Sequence, residues 1–419
     1  MKRVLLLGVG RSTHTLIKYL ADYAIREKIH ILLADQKKNN FIEQYLHDES
    51  CDFISLDINH AESRQHAIQR SDLVISMLPP KFHLLVAQDC IILKKDLITA
   101  SYVSVDVSKL DNAAKKANII LLNEMGLDPG IDHISAMDII DSLKEQGAVI
   151  NVFKSFCGGL IAPEYDTNPW NYKFTWNPKN VVLAGNAGAS YLKNNVIKHL
   201  KYEDVFSHIE RVSIPSYGEF ESYANRDSLH YKKKYNLIDA HTIVRGNLRK
   251  TGFSEAWNVF VQLGMTSEDS GKKINKNQFV KYLKKLNNTD VETKMHYLDL
   301  FNHKFSNFNY ENPSHYLLNV LHDKWSLSPH DRDMIVMQHK FQYSLEGKEH
   351  DLKLSMVVKG DDSIHTGMAK TVGLPVFFAC KMILENKIHL KGVRIPIHKE
   401  IYKPILQQLN KEGIHFFKS

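Results

Sequence analysis

A glycine-containing turn near the start of the chain has the residue types that hold the pyrophosphate of a dinucleotide. The run Gly8-Val9-Gly10-Arg11-Ser12-Thr13 follows apolar residues and precedes apolar side chains at helical spacing. Gly8 permits a tight turn, and Gly10 lets the main chain approach a phosphate, whose charge is favoured by the exposed amides of a helix start. Thr13 stands where this pattern has glycine or alanine, so a turn with only a structural role is the alternative. The residues predicted to bind a dinucleotide here are Gly8, Gly10, Arg11, Ser12 and Thr13.

Acidic residues follow two later strand patterns and bear on the choice of cofactor. Asp35 lies about 20 residues beyond the turn, where a carboxylate bonds the ribose hydroxyls of the adenosine and favours NAD over NADP. Lys37 and Lys38 follow directly and are able to neutralise a 2′-phosphate, so NADP stays open. Asp57 is expected either to lie near the adenine or to cap a helix. The sequence therefore predicts NAD or NADP, with NAD slightly favoured by Asp35.

A further candidate for cofactor binding is the run Ser76-Met77-Leu78-Pro79-Pro80, which follows the fourth strand pattern. In doubly wound folds this position covers the pyrophosphate and the nicotinamide ribose. Ser76 and Leu78 are therefore predicted cofactor ligands. The alternative is that the two prolines simply begin a helix.

These residues need a scaffold that brings strand ends together, and the first 130 residues supply one. Short apolar runs alternate with helical patterns, and the runs lie at 4–7, 29–34, 53–56, 73–76, 96–99 and 119–122. Continuous apolar strands separated by helices are typical of a parallel sheet covered on both faces. We therefore predict an α/β protein whose first domain, residues 1–130, is a doubly wound parallel sheet of the Rossmann type.

The pattern changes after this domain. Residues 131–263 and 329–390 hold strand-like runs separated by turns, and they predict a second domain with a mixed α/β fold. Residues 264–328 are polar with helical spacing, and they predict a small helical insertion into that domain. Residues 366–386 predict an interrupted apolar helix, and the tail at 391–419 is expected to return to the first domain.

The composition excludes several classes of protein. Lys and Arg total 54 against 47 Asp and Glu, and because the excess is spread over the chain we expect no nucleic-acid partner. The four cysteines are far apart and the 22 histidines form no HExxH pattern, so we expect no zinc knuckle, disulfide scaffold or metal site. No apolar run is long enough to cross a bilayer, so we expect no membrane partner and a cytoplasmic location.

Six runs in the rest of the chain are specific as a set. Residues 100–104, 122–133, 156–160, 225–228, 245–249 and 369–375 read ASYVS, LNEMGLDPGIDH, FCGGL, NRDS, RGNLR and AKTVGLP. Together they resemble the saccharopine dehydrogenase family, in its glutamate-forming branch, over almost the whole chain except 264–328. The resemblance implies a dinucleotide domain, a substrate and dimerisation domain, a small helical domain, and an oxidoreductase of lysine metabolism that forms a homodimer.

The reaction implied by the resemblance is reversible. Saccharopine, water and NAD(P)⁺ give glutamate, 2-aminoadipate semialdehyde and NAD(P)H. Oxidation removes hydride from the carbon on the lysine-derived side of the secondary amine. That amine must first be neutral, because an ammonium has no lone pair to support the iminium that forms. A base must therefore accept a proton, and hydrolysis of the imine needs acid–base help again.

The candidate bases come from the same resemblance. The run Leu127-Asp128-Pro129 matches the stretch that lies beside the nicotinamide in the family, so its residues are predicted cofactor contacts. Asp128 is favoured as a catalytic residue, because a carboxylate near the C–N bond accepts a proton and stabilises a cation. Cys157, in a glycine-rich turn, is the second catalytic candidate. Tyr102 and His133 stay open, and His133 is better explained as an anchor for the start of its helix.

Recognition of the substrate needs fixed cations, because saccharopine carries three carboxylates. Bidentate arginine suits a planar carboxylate. Family members usually have threonine at the position of Asn247, which puts a side-chain hydroxyl contact there in doubt. For each arginine the alternative is a surface ion pair. The resemblance assigns substrate binding to Ser101, Tyr102, Arg226, Asn247, Leu248 and Arg249.

Two other functions stay open at this point. A related reductase that acts on a carboxylated polyamine imine would share the dinucleotide domain. A dinucleotide-binding scaffold or sensor without turnover is motivated by the irregular Thr13 and Asn247 and by the poorly matched residues 264–328.

Overall fold

The fold is known from a computed structural model, which describes most of the chain. The described residues are 1–46, 49–272, 275–301 and 310–419. Within the predicted helical insertion, residues 273–274 and 302–309 lie outside the described residues.

The described residues divide into two compact units. Unit 1 comprises residues 1–141 and 367–415, and unit 2 comprises residues 142–366 and 416–419. The chain thus leaves unit 1, builds unit 2 and returns to unit 1 before its last residues.

Unit 1 is built around a parallel sheet of seven strands. In spatial order these are Gly392–Arg394, Ile120–Leu122, Asp96–Thr99, Leu73–Ser76, Arg3–Leu7, His30–Asp35 and Cys51–Ser55. The second and third strands of the chain lie on one side of Arg3–Leu7, and the fourth to sixth lie on the other. All four residues of Leu73–Ser76 are buried, as expected for a sheet covered on both faces. This doubly wound order confirms the predicted fold class.

Helices connect these strands, and the turns before them carry the residues at the carboxyl ends of the strands. The α-helices of unit 1 are His14–Glu27, Ala61–Gln69, His83–Leu93, Val105–Ser108, Asp111–Lys116, Ile131–Glu145, Gly367–Leu384 and Lys399–Lys411, and Arg11–Thr13, Asn40–Tyr45 and Pro80–Phe82 are 3₁₀ helices. The boundary between the two units falls within Ile131–Glu145. In a doubly wound sheet, ligands bind at the carboxyl ends of the strands where the strand order reverses.

The position of the helix Gly367–Leu384 corrects one expectation, and its burial explains its apolar sequence. The sequence placed residues 367–390 in the second domain, but this helix packs in unit 1 against His14–Glu27. A Cβ at Gly373 would lie 2.8 Å from the main-chain nitrogen of Leu16, so the missing side chain lets the two helices touch. The helix is also long and apolar enough to cross a membrane by composition, but 83% of it is buried inside the protein. Core packing therefore explains its apolar sequence.

Unit 2 is built on a mixed sheet, whose ten strands all belong to the described part of the chain. The continuous path is Ile209–Ile214, Gly218–Ala224, Thr242–Lys250, Val149–Ile161, Asp333–Leu345, Lys348–Lys359 and Phe417–Lys418, and Ala189–Lys193, Val196–Leu200 and Arg226–Asp227 pair outside it. The last strand comes from the tail, so residues 416–419 depart from the prediction that the tail lies in the first domain. The predicted mixed sheet is confirmed.

One apolar core joins the sheet of unit 2 to its helices. The helices are Pro178–Val182, Tyr202–Val205, Tyr231–Lys234, Phe253–Gln262, Lys276–Leu286, Thr289–Tyr297 and Pro313–Trp325, with the 3₁₀ helix Pro163–Tyr165. Trp170 and Trp257 pack against Trp325 from the predicted helical insertion, with ring centroids 5.3 and 6.0 Å away. The insertion therefore shares the core of unit 2 and does not form a compact unit of its own.

Candidate active site

The glycine turn of unit 1 has the geometry of a phosphate-binding turn. Gly8 has a φ of +96°, and a Cβ there would lie 3.1 Å from the main chain of Met77, so only glycine fits. A Cβ at Gly10 would meet nothing within 4 Å, so packing does not explain that glycine. The hydroxyl of Thr13 donates to the carbonyl of Gly10 at 2.7 Å and closes the turn, a role that the sequence pattern did not indicate. These residues fit the pyrophosphate of a dinucleotide in the space beside Gly10.

The carboxylate of Asp35 is hydrogen-bonded to this turn, which corrects the basis of the NAD prediction. One carboxylate oxygen accepts from the amide of Val9 at 2.8 Å, and the other accepts from the amide of Gln36 at 2.7 Å. Both oxygens are thus engaged by the main chain, and a preference for NAD is not supported. Asp57 is exposed and accepts from the amide of Asn59, and this bond is the main reason that its pKa is lowered.

The strand ends next to the turn carry a chain of polar side chains. Ser76 and Ser101 lie on either side of the His83 ring, at 3.0 Å from its Nδ1 and 2.8 Å from its Nε2. Leu78 is half-buried in the turn that precedes His83. The sequence analysis missed His83 because nothing in its spacing distinguishes it from other helix residues.

Tyr102 and Asp128 form a pair in unit 1. The phenol of Tyr102 donates to one carboxylate oxygen of Asp128 at 2.8 Å, and both side chains are half-buried. Donation from a phenol favours the ionised carboxylate, which is the form that accepts a proton. The structure thus brings together two residues that the sequence proposed separately, one for substrate binding and one for catalysis. Leu127 and Pro129 flank Asp128, with Leu127 buried and Pro129 joined to Asp128 by a cis peptide bond.

A buried hydrogen bond between Glu124 and His133 holds the turn that carries Asp128. Glu124 has a φ of +58°, accepts from the amide of Val103 at 3.1 Å, and lies 2.7 Å from Nε2 of His133. Both side chains are almost fully buried. His133 lies in the first turn of the helix Ile131–Glu145, so its geometry favours an anchoring role over a role as a base. Glu124 is a second residue that the sequence analysis missed, although it lies inside one of the specific runs.

Arg249 is the central polar residue of unit 2. It is 5% exposed, and its guanidinium carbon lies 5.0, 5.6 and 5.3 Å from the ring centroids of Tyr172, Tyr223 and Phe253. One guanidinium nitrogen donates to the carbonyl of Leu248 at 2.8 Å. We call these three rings the aromatic cage. It surrounds the arginine with ring faces that attract a cation.

The charge of Arg249 has no carboxylate partner within the described part of the chain, and its Nε makes no hydrogen bond there. Burial acts to lower the pKa of Arg249, but the phenols of Tyr223 and Tyr172 and the thiol of Cys157 raise it on balance. The arginine therefore stays charged. A buried charge without a counterion is costly, so the arrangement favours an anionic ligand at Nε.

The other predicted substrate residues of unit 2 lie in different environments. Arg226 lies on the short strand Arg226–Asp227 and has a φ of +54°. Because its side chain is exposed, Arg226 does not share the aromatic cage with the buried Arg249. Asn247 donates to the phenol of Tyr223 at 3.3 Å and lies opposite Cys157 in the sheet. Cys157 is a buried thiol inside the strand Val149–Ile161, so the expectation of a glycine-rich turn there is wrong. The Leu248 side chain is fully buried, and its substrate-binding role stays a prediction.

Comparisons with known proteins cover both units. The model of the saccharopine dehydrogenase NADP binding domain matches residues 4–122, and that of the saccharopine dehydrogenase C-terminal domain matches residues 126–414. The chain is 33% identical to saccharopine dehydrogenase [NADP(+), L-glutamate-forming] of Saccharomyces cerevisiae over 99% of this chain and 98% of that protein. The protein of that name from Pyricularia oryzae is 31% identical, with 98% and 97% covered.

Longer proteins contain a similar region. The mitochondrial alpha-aminoadipic semialdehyde synthase of Mus musculus is 34% identical over 99% of this chain and 47% of that protein. The chain therefore spans about half the length of the synthases that it matches.

Solved structures show the same likeness. Apo saccharopine dehydrogenase (L-Glu forming) from Saccharomyces cerevisiae superposes with a TM-score of 0.88 at 30% identity, over 100% of this chain and 99% of that one. A homospermidine synthase from Legionella pneumophila, solved in complex with NAD, superposes with a TM-score of 0.62 at 10% identity, over 100% of this chain and 91% of that one, which shows a shared fold alone.

Proposed function

The chain belongs to the saccharopine dehydrogenase family, and we propose that it catalyses the reversible NADP-dependent oxidation of saccharopine to glutamate and 2-aminoadipate semialdehyde. The observation that carries this proposal is a match over both units to nearly the full length of glutamate-forming dehydrogenases. The reaction makes the chain an oxidoreductase of lysine metabolism. Neither the carboxylated polyamine imine nor the scaffold without turnover is favoured by these matches.

NADP is the proposed cofactor. In support, the matched domain is described as NADP binding, and the dehydrogenases that match over their full length are named for NADP⁺. Lys37 and Lys38 follow Asp35 with exposed side chains, and their charges are able to neutralise a 2′-phosphate. The turn at Gly8 and Gly10 would hold the pyrophosphate. When bound, the nicotinamide accepts the hydride.

Asp128 is the proposed proton acceptor. Its ionised form, favoured by the hydrogen bond from Tyr102, takes the proton from the secondary ammonium of saccharopine. Once Asp128 holds this proton, the neutral amine has the lone pair that supports the iminium cation formed when hydride leaves. Because the Glu124–His133 pair fixes the turn that carries Asp128, the carboxylate is held in place before substrate binds.

Hydrolysis of the iminium follows. Water adds to the iminium carbon and loses one proton, which gives a neutral carbinolamine. A proton then moves to the nitrogen that becomes the amine of glutamate, the C–N bond breaks, and the carbinolamine hydroxyl loses its proton to leave the semialdehyde. The protonated Asp128 is able to return its proton in this step, so one group serves both directions of the reaction. Cys157 remains the second candidate for proton transfer, as a buried thiol opposite Asn247.

Arg249 is the proposed anchor for one carboxylate of saccharopine. The aromatic cage keeps water away from the guanidinium, and its Nε points to no group of the protein within the described residues. A carboxylate that accepts from Nε would neutralise this buried charge. Arg226 is an exposed cation that would attract a second carboxylate less strongly. Ser101 and Tyr102 are proposed contacts of the substrate in unit 1.

The test is a spectrophotometric assay at 340 nm. Saccharopine should drive reduction of NADP⁺ at neutral to alkaline pH, with a lower KM for NADP⁺ than for NAD⁺. Asp128→Asn serves as the matched control, because it keeps a hydrogen-bond acceptor for Tyr102 and removes the charge. Absence of turnover with either cofactor, while NADPH still binds, would support a scaffold instead. A homodimer and a cytoplasmic location stay predictions, the first checked by light scattering and the second by imaging.

A further inference from the structure

His83 occupies an unusual position between two serines of unit 1. It is the first residue of the helix His83–Leu93 and is 5% exposed. Nδ1 lies 3.0 Å from the hydroxyl of Ser76, and Nε2 lies 2.8 Å from the hydroxyl of Ser101. The hydroxyl of Thr99 accepts from the amide of Ser101 at 3.3 Å and lies 3.3 Å from Nε2, so Ser101 is the closer partner of Nε2. The ring thus spans from a strand end near the cofactor turn to a proposed substrate contact.

The surroundings decide which ring nitrogen carries the proton. Ser76 is fully buried, and within the described residues its hydroxyl has one hydrogen-bond partner, Nδ1 of His83. A buried hydroxyl that failed to donate would lose a hydrogen bond, so Ser76 donates and Nδ1 accepts. Burial also lowers the pKa of His83 to about 4, which keeps the ring neutral at neutral pH. The hydrogen of the neutral ring is therefore on Nε2.

This tautomer fixes the role of Ser101. Nε2–H donates to the Ser101 oxygen, so the hydrogen of that serine cannot point back at the ring. Within the described residues, no other group accepts from the Ser101 hydroxyl, which is half-buried. Its hydrogen is thus available to a group outside the protein.

We propose that His83 is a positioning residue that makes Ser101 a hydrogen-bond donor to a carboxylate of the substrate. The proposal rests on the proposed function, because saccharopine supplies the carboxylate. A carboxylate only accepts hydrogen bonds, so a serine fixed as a donor binds it and rejects an ammonium group. His83 would therefore help to select which end of saccharopine binds in unit 1, without touching the substrate itself.

Two substitutions of His83 separate its two hydrogen bonds. The amide of His83→Asn lies near the position of Nδ1 and keeps the bond from Ser76, but it does not reach Ser101. The longer side chain of His83→Gln reaches the position of Nε2 and is able to donate to Ser101. We expect His83→Asn to raise the KM for saccharopine about tenfold, the usual effect of one misdirected hydrogen bond. His83→Gln should restore most of this loss, and the KM for NADP⁺ should change little in either variant.

A double-mutant cycle with Ser101→Ala tests whether His83 acts through Ser101. In the Ser101→Ala background, His83→Asn should cause almost no further rise in the KM for saccharopine. Equal losses in both backgrounds, with wild-type turnover intact, would overturn the proposal and leave the proposed function standing. Absence of turnover in the wild-type protein would overturn both.

Nuclear magnetic resonance of protein labelled with ¹⁵N-histidine gives a readout that needs no activity. The signal that disappears in His83→Asn should show a neutral ring with its hydrogen on Nε2 between pH 5.5 and 8. A hydrogen on Nδ1, or a charged ring in this range, would contradict the assignment.

Discussion

Two buried charges, one in each unit, have opposite surroundings. In unit 1 the buried carboxylate of Glu124 is bound by His133 and by the amide of Val103, so its charge is satisfied inside the protein. In unit 2 the buried guanidinium of Arg249 is surrounded by aromatic rings and has no carboxylate among the described residues. Another buried cation of the same unit, Lys173, is paired with Asp331 at 2.6 Å.

This difference separates two tasks of an active site. Internally paired charges fix the position of neighbouring groups and contribute to stability. A buried charge without an internal partner costs stability until a ligand supplies the opposite charge. We therefore infer that Glu124 positions catalytic residues, whereas Arg249 binds substrate. Substitutions should separate these roles, because their effects on activity and on the free energy of unfolding differ.

The largest effect is expected for Arg249→Met. Loss of charged hydrogen bonds to a carboxylate should reduce kcat/KM for saccharopine roughly a thousandfold. The free energy of unfolding should stay within about 1 kcal/mol of the wild type, because removing this charge leaves no buried carboxylate without a counterion. Assays at 340 nm and urea unfolding measure the two quantities. Arg249→Lys is the matched control, since it keeps the charge but loses the planar fork and should fall between the two.

Glu124→Ala should show the reverse pattern. Removing one member of a buried pair leaves His133 without its carboxylate, and the free energy of unfolding should fall by about 3 kcal/mol. Urea unfolding measures this loss. Glu124→Gln, which retains the shape and one acceptor, should lose less. A stability equal to that of the wild type in Glu124→Ala would remove the contrast between the units.

Asp128→Asn should affect activity and leave stability unchanged, because the side chain is only half-buried. A missing general base typically lowers kcat about a hundredfold. The amide still accepts from Tyr102, so the substitution tests charge and not geometry. The pH profile of kcat should also lose its acidic limb. Retention of that limb would transfer the base to another group, with Cys157→Ser as the next variant to measure.

His83 makes stability depend on pH. Its pKa is about 4 in the folded protein, against about 6.5 in an unfolded chain. The unfolded chain therefore binds a proton that the folded protein does not, and stability falls as the pH decreases from 6.5 towards 4. Between pH 7 and pH 5 the contribution is about 2 kcal/mol. The free energies of unfolding of wild type and His83→Asn, measured in urea at pH 7 and pH 5, should differ in their pH dependence by this amount. The same pH dependence in both proteins would show that His83 binds its proton in the folded protein as readily as in the unfolded chain.

The smallest effect is expected for Arg226→Ala. An exposed cation gains little from pairing, so the KM for saccharopine should rise less than tenfold. The effect should weaken further in high salt, because exposed charges are screened. The KM for NADP⁺ should stay the same. A loss as large as that of Arg249→Met would show that burial does not distinguish the two arginines.

Much of the scaffold was predictable from the sequence. The apolar runs of the first 130 residues indicated a parallel sheet because strands buried on both faces have no polar alternation, and Leu73–Ser76 is such a strand. The turn at Gly8 and Gly10 was recognisable because the backbone conformation at Gly8 requires glycine. These features depend on residues that are close together in the sequence, so the sequence alone indicates them.

Other features depend on partners far away in the chain. The packing of Gly367–Leu384 on the first helix of unit 1 joins residues over 350 positions apart, and its apolar sequence did not reveal that partner. The carboxylate of Asp35 was expected to face a ribose, but its partner is the amide of Val9. Likewise, the aromatic cage of Arg249 combines rings from three separate segments. Spacing along the chain carries no signal for such contacts.

The most direct test of the account is a crystal structure with saccharopine and NADP⁺ bound. We predict that a carboxylate of saccharopine accepts a hydrogen bond from Nε of Arg249 inside the aromatic cage. A structure in which saccharopine is bound but Arg249 keeps the same protein contacts, with no carboxylate at Nε, would contradict the assignment of this buried charge to the substrate.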